Sequence, residues 1–231
     1  MKRHNKYYKA AKISEAKFRY VIRCFDEDLT ASSTARMTGL SVRSVNDIFI
    51  KIRKRLADLC EKQALESGVF EADESYFGPR GVKGKKGRGA GGKTIVFGIL
   101  KRGGYVWTQI VPNARKRTLQ RLIRGKVSLD SVIHTDGWVG YDGLVDVGYE
   151  KHLRVRHTDG QFALGDNHIN SIESFWGFAK HRLTKFKGIP NHTFYLHLKE
   201  SEFRFNHRNQ NLYKLLLRIF REEPLVPFCF L

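Results

Sequence analysis

From residue 14 to about residue 66, apolar side chains recur at helical spacing. Phe18, Val21, Ile22, Phe25 and Leu29 stand at i, i+3, i+4, i+7 and i+11, a single stripe that Ser14 is placed to cap. A second, short helix follows Thr30 through Ala35 and Met37 and stops at Thr38-Gly39. Ser41 then opens a third, with Val45, Ile48, Phe49, Ile52 and Leu56 on its buried side. Two helices joined by a tight glycine-containing turn describe a helix-turn-helix. Beyond Val69 the period changes: Val69 to Phe77, Thr94 to Lys101 and Tyr105 to Val111 read as strands, the second a nearly continuous apolar run suited to the middle of a sheet. Gly103-Gly104 supplies a turn between the second and third. A helix over Arg115 to Lys126, a strand over Ser131 to Asp136 and a short strand over His152 to Arg156 follow. A helix from about Asn167 to Phe186 buries Ile172, Phe175, Trp176, Ala179 and Leu183, and one last helical stretch runs from about His192 to Glu222. Three successive strands followed by alternating helices and strands predict an α/β chain, a mixed sheet flanked by helices, preceded by a small all-α domain.

Charge changes the picture more than composition does. Hydrophobic residues at 41% and charged residues at 28% are globular values, but 42 Lys and Arg against 23 Asp and Glu leave +19 and a pI of about 10.0. For a chain with an ordinary core, such a surplus points to a polyanionic partner, with nucleic acid as the default. The longest apolar stretch, around Thr94 to Leu100, is far short of a membrane span, and no apolar run follows the basic first residues. Cys24, Cys60 and Cys229 are scattered, which argues against a zinc ribbon or disulfide scaffold and for a reducing compartment. The expectation is a cytoplasmic protein with no membrane partner.

On the third helix Arg43, Asn46, Ile50 and Arg53 read as pointing away from the apolar stripe, where Arg suits guanine and Asn suits adenine in a major groove. Lys51, Arg53, Lys54 and Arg55 add charge for phosphates, although a helical hairpin with a solvated face fits the same pattern. Residues 79 to 93 hold six glycines and six Lys or Arg without an acid. This segment, with Lys83, Lys85, Lys86 and Arg88, reads equally as a solvated linker or as an arm lying along DNA phosphates.

Three acids stand out by their setting: Asp73 in the first strand, Asp136 ending the fourth, and Glu173 on the helix after the fifth. Carboxylates brought together from separate elements repel one another unless something cationic sits between them. Hard divalent ions require such oxygens, and a pair of ions about 4 Å apart serves phosphodiester cleavage. Glu71 shares a strand face with Asp73 and rivals it as a ligand. Seven residues return a helix to nearly the same azimuth about 10 Å further on, so Lys180 shares a face with Glu173, with Gly177 between them.

The segments Glu-Ala-Asp-Glu-Ser-Tyr-Phe-Gly (71 to 78), His-Thr-Asp-Gly-Trp (134 to 138) and His-Ile-Asn-Ser-Ile-Glu-Ser-Phe-Trp (168 to 176), with 36 residues, 137 to 172, between the second and third acids, resemble the core of a bacterial insertion-sequence DDE transposase of the compact ISXO2-like group. The likeness runs from about residue 69 to 210 and includes Glu-Ser-Glu-Phe-Arg-Phe-Asn at 200 to 206. It implies an RNase H-like fold, Asp73, Asp136 and Glu173 as the catalytic, metal-holding triad, Lys180 as the basic residue typical of that helix, and two Mg2+ or Mn2+ ions. Asn170 remains a rival for the third position, since some relatives use Asn there. The expectation is a DNA transposase, with residues 1–66 binding element ends, residues 67–231 cleaving and transferring strands, and a homodimer on double-stranded DNA. A helix-turn-helix regulator without catalysis, or a related RNase H-fold nuclease or resolvase, is the alternative.

Overall fold

The computed structural model describes residues 5–78, 93–136, 149, 151–155 and 169–226, with backbone alone at 136 and 151–155. The chain divides into two compact units, residues 1–59 with 207–231, and residues 60–206.

In the first unit, α1 (Glu15–Asp26) begins where the Ser14 side chain accepts from the Lys17 N–H, and it buries Phe18, Val21, Ile22 and Phe25 as the stripe predicts. The second helix, α2 (Ala31–Thr38), is capped by Thr30 and ends at Gly39, whose φ of 66° is the left-handed conformation that closes helices. Ser41 accepts from the Ser44 N–H at the start of α3 (Val42–Lys62), whose last residues belong to the second unit.

The predicted last helical stretch is two helices, α6 (Asn191–Asn206) and α7 (Leu212–Glu222). The polar run His207 to Asn211 breaks it, and Asn211 caps α7 by accepting from the Lys214 N–H. The new helix belongs to the first unit, where Phe220 packs edge-on against Phe18 and the Arg23 guanidinium lies 3.7 Å from the Tyr213 ring centroid. Residues after 206 thus join the N-terminal helices, whereas the sequence pattern placed them with the sheet. Their apolar face needed a partner, and α1 supplies it.

The second unit is built on a five-stranded sheet in the order β3-β2-β1-β4-β5: β1 (Val69–Phe77), β2 (Thr94–Lys101), β3 (Val106–Val111), β4 (Val132–Asp136) and β5 (Lys151–Val155). The first three strands are antiparallel, and β4 and β5 run parallel to β1. This is an RNase H-like sheet. One face packs Phe70, Ala72, Phe97 and Trp107 against Leu119 and Ile123 of α4 (Lys116–Lys126). The other packs Phe77, Val96, Leu100 and Val106 against α5 (Asn170–Thr184) and α6.

Helix α6 has no single apolar stripe because it is buried almost all round: Lys199, Glu200, Ser201 and Glu202 are consecutive and each at most 1% exposed. Its polar side chains pair with the open edge of β3. Asn206 accepts from the Val106 N–H and donates to its carbonyl, while Glu202 accepts from the Thr108 N–H and hydroxyl and Lys199 donates to the Thr108 carbonyl. Four helical residues rise about 6 Å and two strand residues about 6.7 Å, so Asn206 and Glu202 meet successive outward-facing backbone groups of the strand. The outward-facing backbone groups of Val106 and Thr108 are thereby satisfied within the chain, which protects that part of the edge. On the opposite side of α6, Glu200 pairs with the buried Arg182 of α5 and with Arg204.

Candidate active site

Alternation along β1 sends Glu71, Asp73 and Phe77 to the face covered by α5. Glu71 is fully buried. One of its oxygens accepts from Arg102 Nε at 2.9 Å, and the other accepts from the Ile172 N–H at 2.9 Å. That N–H belongs to the first turn of α5, which has no side-chain cap from its own N-terminus. A carboxylate is well suited to this position, being both an acceptor and an anion at a helix N-terminus. Glu71 therefore anchors to β1 the helical turn that carries Glu173, and its oxygens are engaged within the protein.

Asp73 is half-buried, and its Oδ2 accepts from the Trp176 indole N–H at 3.0 Å. Glu173, exposed in the first turn of α5, lines the same cleft of about 640 Å3, together with Trp176, Gly177, Lys180 and Lys93. Lys180 stands 5.7 Å from the Phe77 ring centroid. Its ammonium has a pKa below the usual lysine range, chiefly through desolvation; Asp73 opposes that shift and Lys93 adds to it. A Cβ at Gly177 would meet nothing, so the helix surface there is open. Asp73, Glu173 and the buried Glu74 thus line one cleft with two cations, and Lys93, the last residue of the basic segment, is a member the sequence reading did not single out.

Position 136 is the last of β4. The parallel register pairs Ala72 with Thr135, so one step further puts the backbone of 136 level with Asp73 on the neighbouring strand. The Asp136 side chain lies outside the described residues, as do Lys83, Lys85, Lys86, Arg88 and His168. Among the described residues no group of three acids, histidines or cysteines is placed to hold a metal ion. Asn170 is the exposed first residue of α5, and His134 is buried in β4.

On α3, Arg43 and Asn46 are exposed, as expected. Arg53 is a correction. It is 7% exposed, and its guanidinium lies 5.5 Å from the Phe49 ring centroid and 5.8 Å from that of Phe25. Four residues after Phe49 and three before Leu56, it sits on the flank of the apolar stripe, where a long stem packs and the cation rests on aromatic faces. Two of its neighbours are also engaged: Lys51 donates to the Tyr8 hydroxyl, and Arg55 pairs with Glu223.

The ISXO2-like transposase domain model matches residues 66–206, well over half of the 231 residues. The chain belongs to the ISXO2-like transposase family. An uncharacterized transposase-like protein of Haemophilus influenzae is 46% identical over 101 residues, 44% of this chain and 80% of that protein. An uncharacterized protein in transposable element ISH50 of Halobacterium salinarum is 27% identical over 162 residues, 63% of this chain and 55% of that one. Among solved structures, the catalytic core domain of BIV integrase is similar at 14% identity and a TM-score of 0.39, over 65% of this chain and 93% of that one. The family match ends at Asn206, where the second compact unit also ends. No helix among the described residues is long and apolar enough to cross a membrane.

Proposed function

We propose that this chain is a DNA transposase in which the N-terminal helices bind insertion-sequence ends and the cleft between β1 and α5 cuts and joins DNA strands with the help of divalent cations. The observation that carries the reading is the meeting of Asp73 and Glu173, exactly 100 positions apart in sequence number, at one cleft with Lys180 and Lys93 in a family of transposases. The donors fit hard cations such as Mg2+ or Mn2+: they are carboxylates, they come from two rigid elements, and Trp176 holds one of them by a hydrogen bond. Asp73 and Glu173, with Asp136 as the third member of the triad, would hold two ions, which when bound would activate the attacking oxygen and stabilise the leaving one. Lys180 and Lys93 would draw in a DNA phosphate, and the open surface at Gly177 would leave room for its strand. Two ends must be handled together, so a homodimer on double-stranded DNA is the working assembly.

The test is a plasmid carrying the reading frame with its flanking DNA, incubated with the purified chain. Strand cleavage is expected with Mg2+ or Mn2+ and none with chelator. Binding without cleavage under either cation would favour a regulator, and cleavage without joining of the cut end to a second duplex would favour a resolvase.

A second measurement concerns recognition by α3. Arg43→Ala is expected to cost about 1–3 kcal/mol of discrimination between end and random DNA, measured by competition binding. Arg53→Ala, by contrast, should lower the melting temperature and leave that discrimination unchanged, because Arg53 is packed on Phe25 and Phe49.

A further inference from the structure

The indole that meets Asp73 is tightly seated. Trp176 is 5% exposed, with the ring centroids of Phe175 and Phe77 at 5.0 and 6.2 Å. Beneath it lies Gly98, the β2 residue paired with Asp73 in the antiparallel register. A Cβ at Gly98 would fall 2.7 Å from Trp176 Cζ2 and 2.8 Å from Cη2, distances real Cβ atoms do not adopt. Glycine inside a strand weakens it and marks a close approach, and here the approaching group is the indole. The missing side chain on β2, the aromatic walls and the N–H aimed at Oδ2 form one device, and among the described residues the indole N–H donates to Asp73.

We propose that Trp176, seated on Gly98, is a positioning residue that fixes the orientation of the Asp73 carboxylate in the cleft for cation binding. This rests on the reading of the cleft as a cation-dependent active site. A hydrogen bond from a neighbouring group to a ligand carboxylate sets the ligand's direction, and losing such a bond typically weakens metal affinity or activity about 10–100-fold. A merely structural tryptophan would affect stability and leave the cation requirement alone.

The full chain is compared with Trp176→Phe, which keeps an aromatic ring and loses the N–H, with Gly98→Ala, which displaces the indole and keeps it chemically intact, and with the double variant. Two quantities are read at a temperature where thermal melts show each protein folded. One is the Mn2+ concentration giving half-maximal cleavage of the plasmid described above; the other is Mn2+ affinity without DNA, from the electron paramagnetic resonance signal of the free ion. Each single variant is expected to raise the half-maximal Mn2+ concentration and to weaken the Mn2+ affinity, each by about 10–100-fold. The double variant should lie close to Trp176→Phe alone, since the two nearest atoms to the new methyl belong to the indole and Ile172 Cδ1, the flexible end of a side chain, follows at 3.2 Å, and sites acting through one contact are not additive. Should either folded single variant keep the wild-type Mn2+ requirement and affinity while wild type cleaves, the positioning role is overturned and the active-site reading stands. If wild type neither cleaves nor binds Mn2+, both fall together.

Discussion

Asp73→Asn is expected to leave DNA binding intact while strand cleavage falls by about a thousand-fold or more. The substitution is nearly isosteric and keeps an oxygen that can accept from Trp176, so the contact at 3.0 Å need not be lost with the charge. What disappears is an anionic ligand in a cleft that Glu173 and Glu74 also line. Stabilisation by a bound cation contributes several kcal/mol to a transition state, and each 1.4 kcal/mol is about ten-fold in rate. Melting should move little, since Asp73 sits half-buried at the cleft and one source of repulsion with the other acids is removed. Gel-shift binding, single-turnover cleavage in Mn2+ and a thermal melt on the same preparation measure the three quantities. Cleavage within ten-fold of wild type would remove Asp73 from the chemistry. A collapse in melting temperature would instead show that its role is to hold the fold.

The placement of Asp73, Glu173 and Lys180 was legible because their settings were local. Asp73 lies in an alternating strand, Glu173 in a helix with a clear buried stripe, and Lys180 seven residues on; all three line the cleft. The first three strands were legible for the same reason, since burial on both faces of the sheet makes β2 a nearly continuous apolar run. Features that depend on distant partners were not legible. Trp176 read as one more buried residue, and its bond spans 103 positions. Gly98, alone in the apolar run of β2, was a readable sign of a close approach, but nothing local named the indole that makes it. Arg53 misled because a cation on the flank of an apolar stripe is buried only if aromatic faces from another helix reach it. Helix α6 is the extreme case: its buried charges follow no hydrophobic period, because their partners are the edge of β3 and the arginine of α5.

That buried chemistry gives the largest expected effect on stability. Lys199→Met should lower stability by about 3–5 kcal/mol, the usual result of removing one partner from a buried ion pair and leaving the other charge unmatched. Lys199 is fully buried, with Nζ 2.8 Å from the Thr108 carbonyl, 3.0 Å from Glu202 and 2.8 Å from the less buried Glu61. Without it Glu202 keeps the Thr108 N–H and hydroxyl and the neighbouring Cys60 thiol, none of them a cation, and the Thr108 carbonyl at the sheet edge loses its donor. For a chain of this size the melting temperature should fall by about 6–20 °C. Acid should narrow the deficit. Burial already raises the Glu202 pKa above the usual glutamate range, with Lys199 and Thr108 opposing it, so removing Lys199 raises it further. A raised acid binds its proton more tightly when folded, so its stabilisation is complete below the unfolded value and is lost as pH rises through the folded one. Glu61 has the opposite sign: burial pushes it up, but Lys199, Tyr195 and Trp107 together hold it below its ordinary value, so its contribution to wild type fades as pH falls. The Glu202 effect brings the two melts together as pH falls from 8 to 5, and the Glu61 effect adds to it only below the ordinary glutamate range. Glu202→Gln in the Lys199→Met background keeps an acceptor for Thr108 and removes the stranded charge, so it should recover part of the loss and flatten the pH response. A deficit independent of pH would show that Lys199 acts through packing and its bond to the β3 edge, not through its charge.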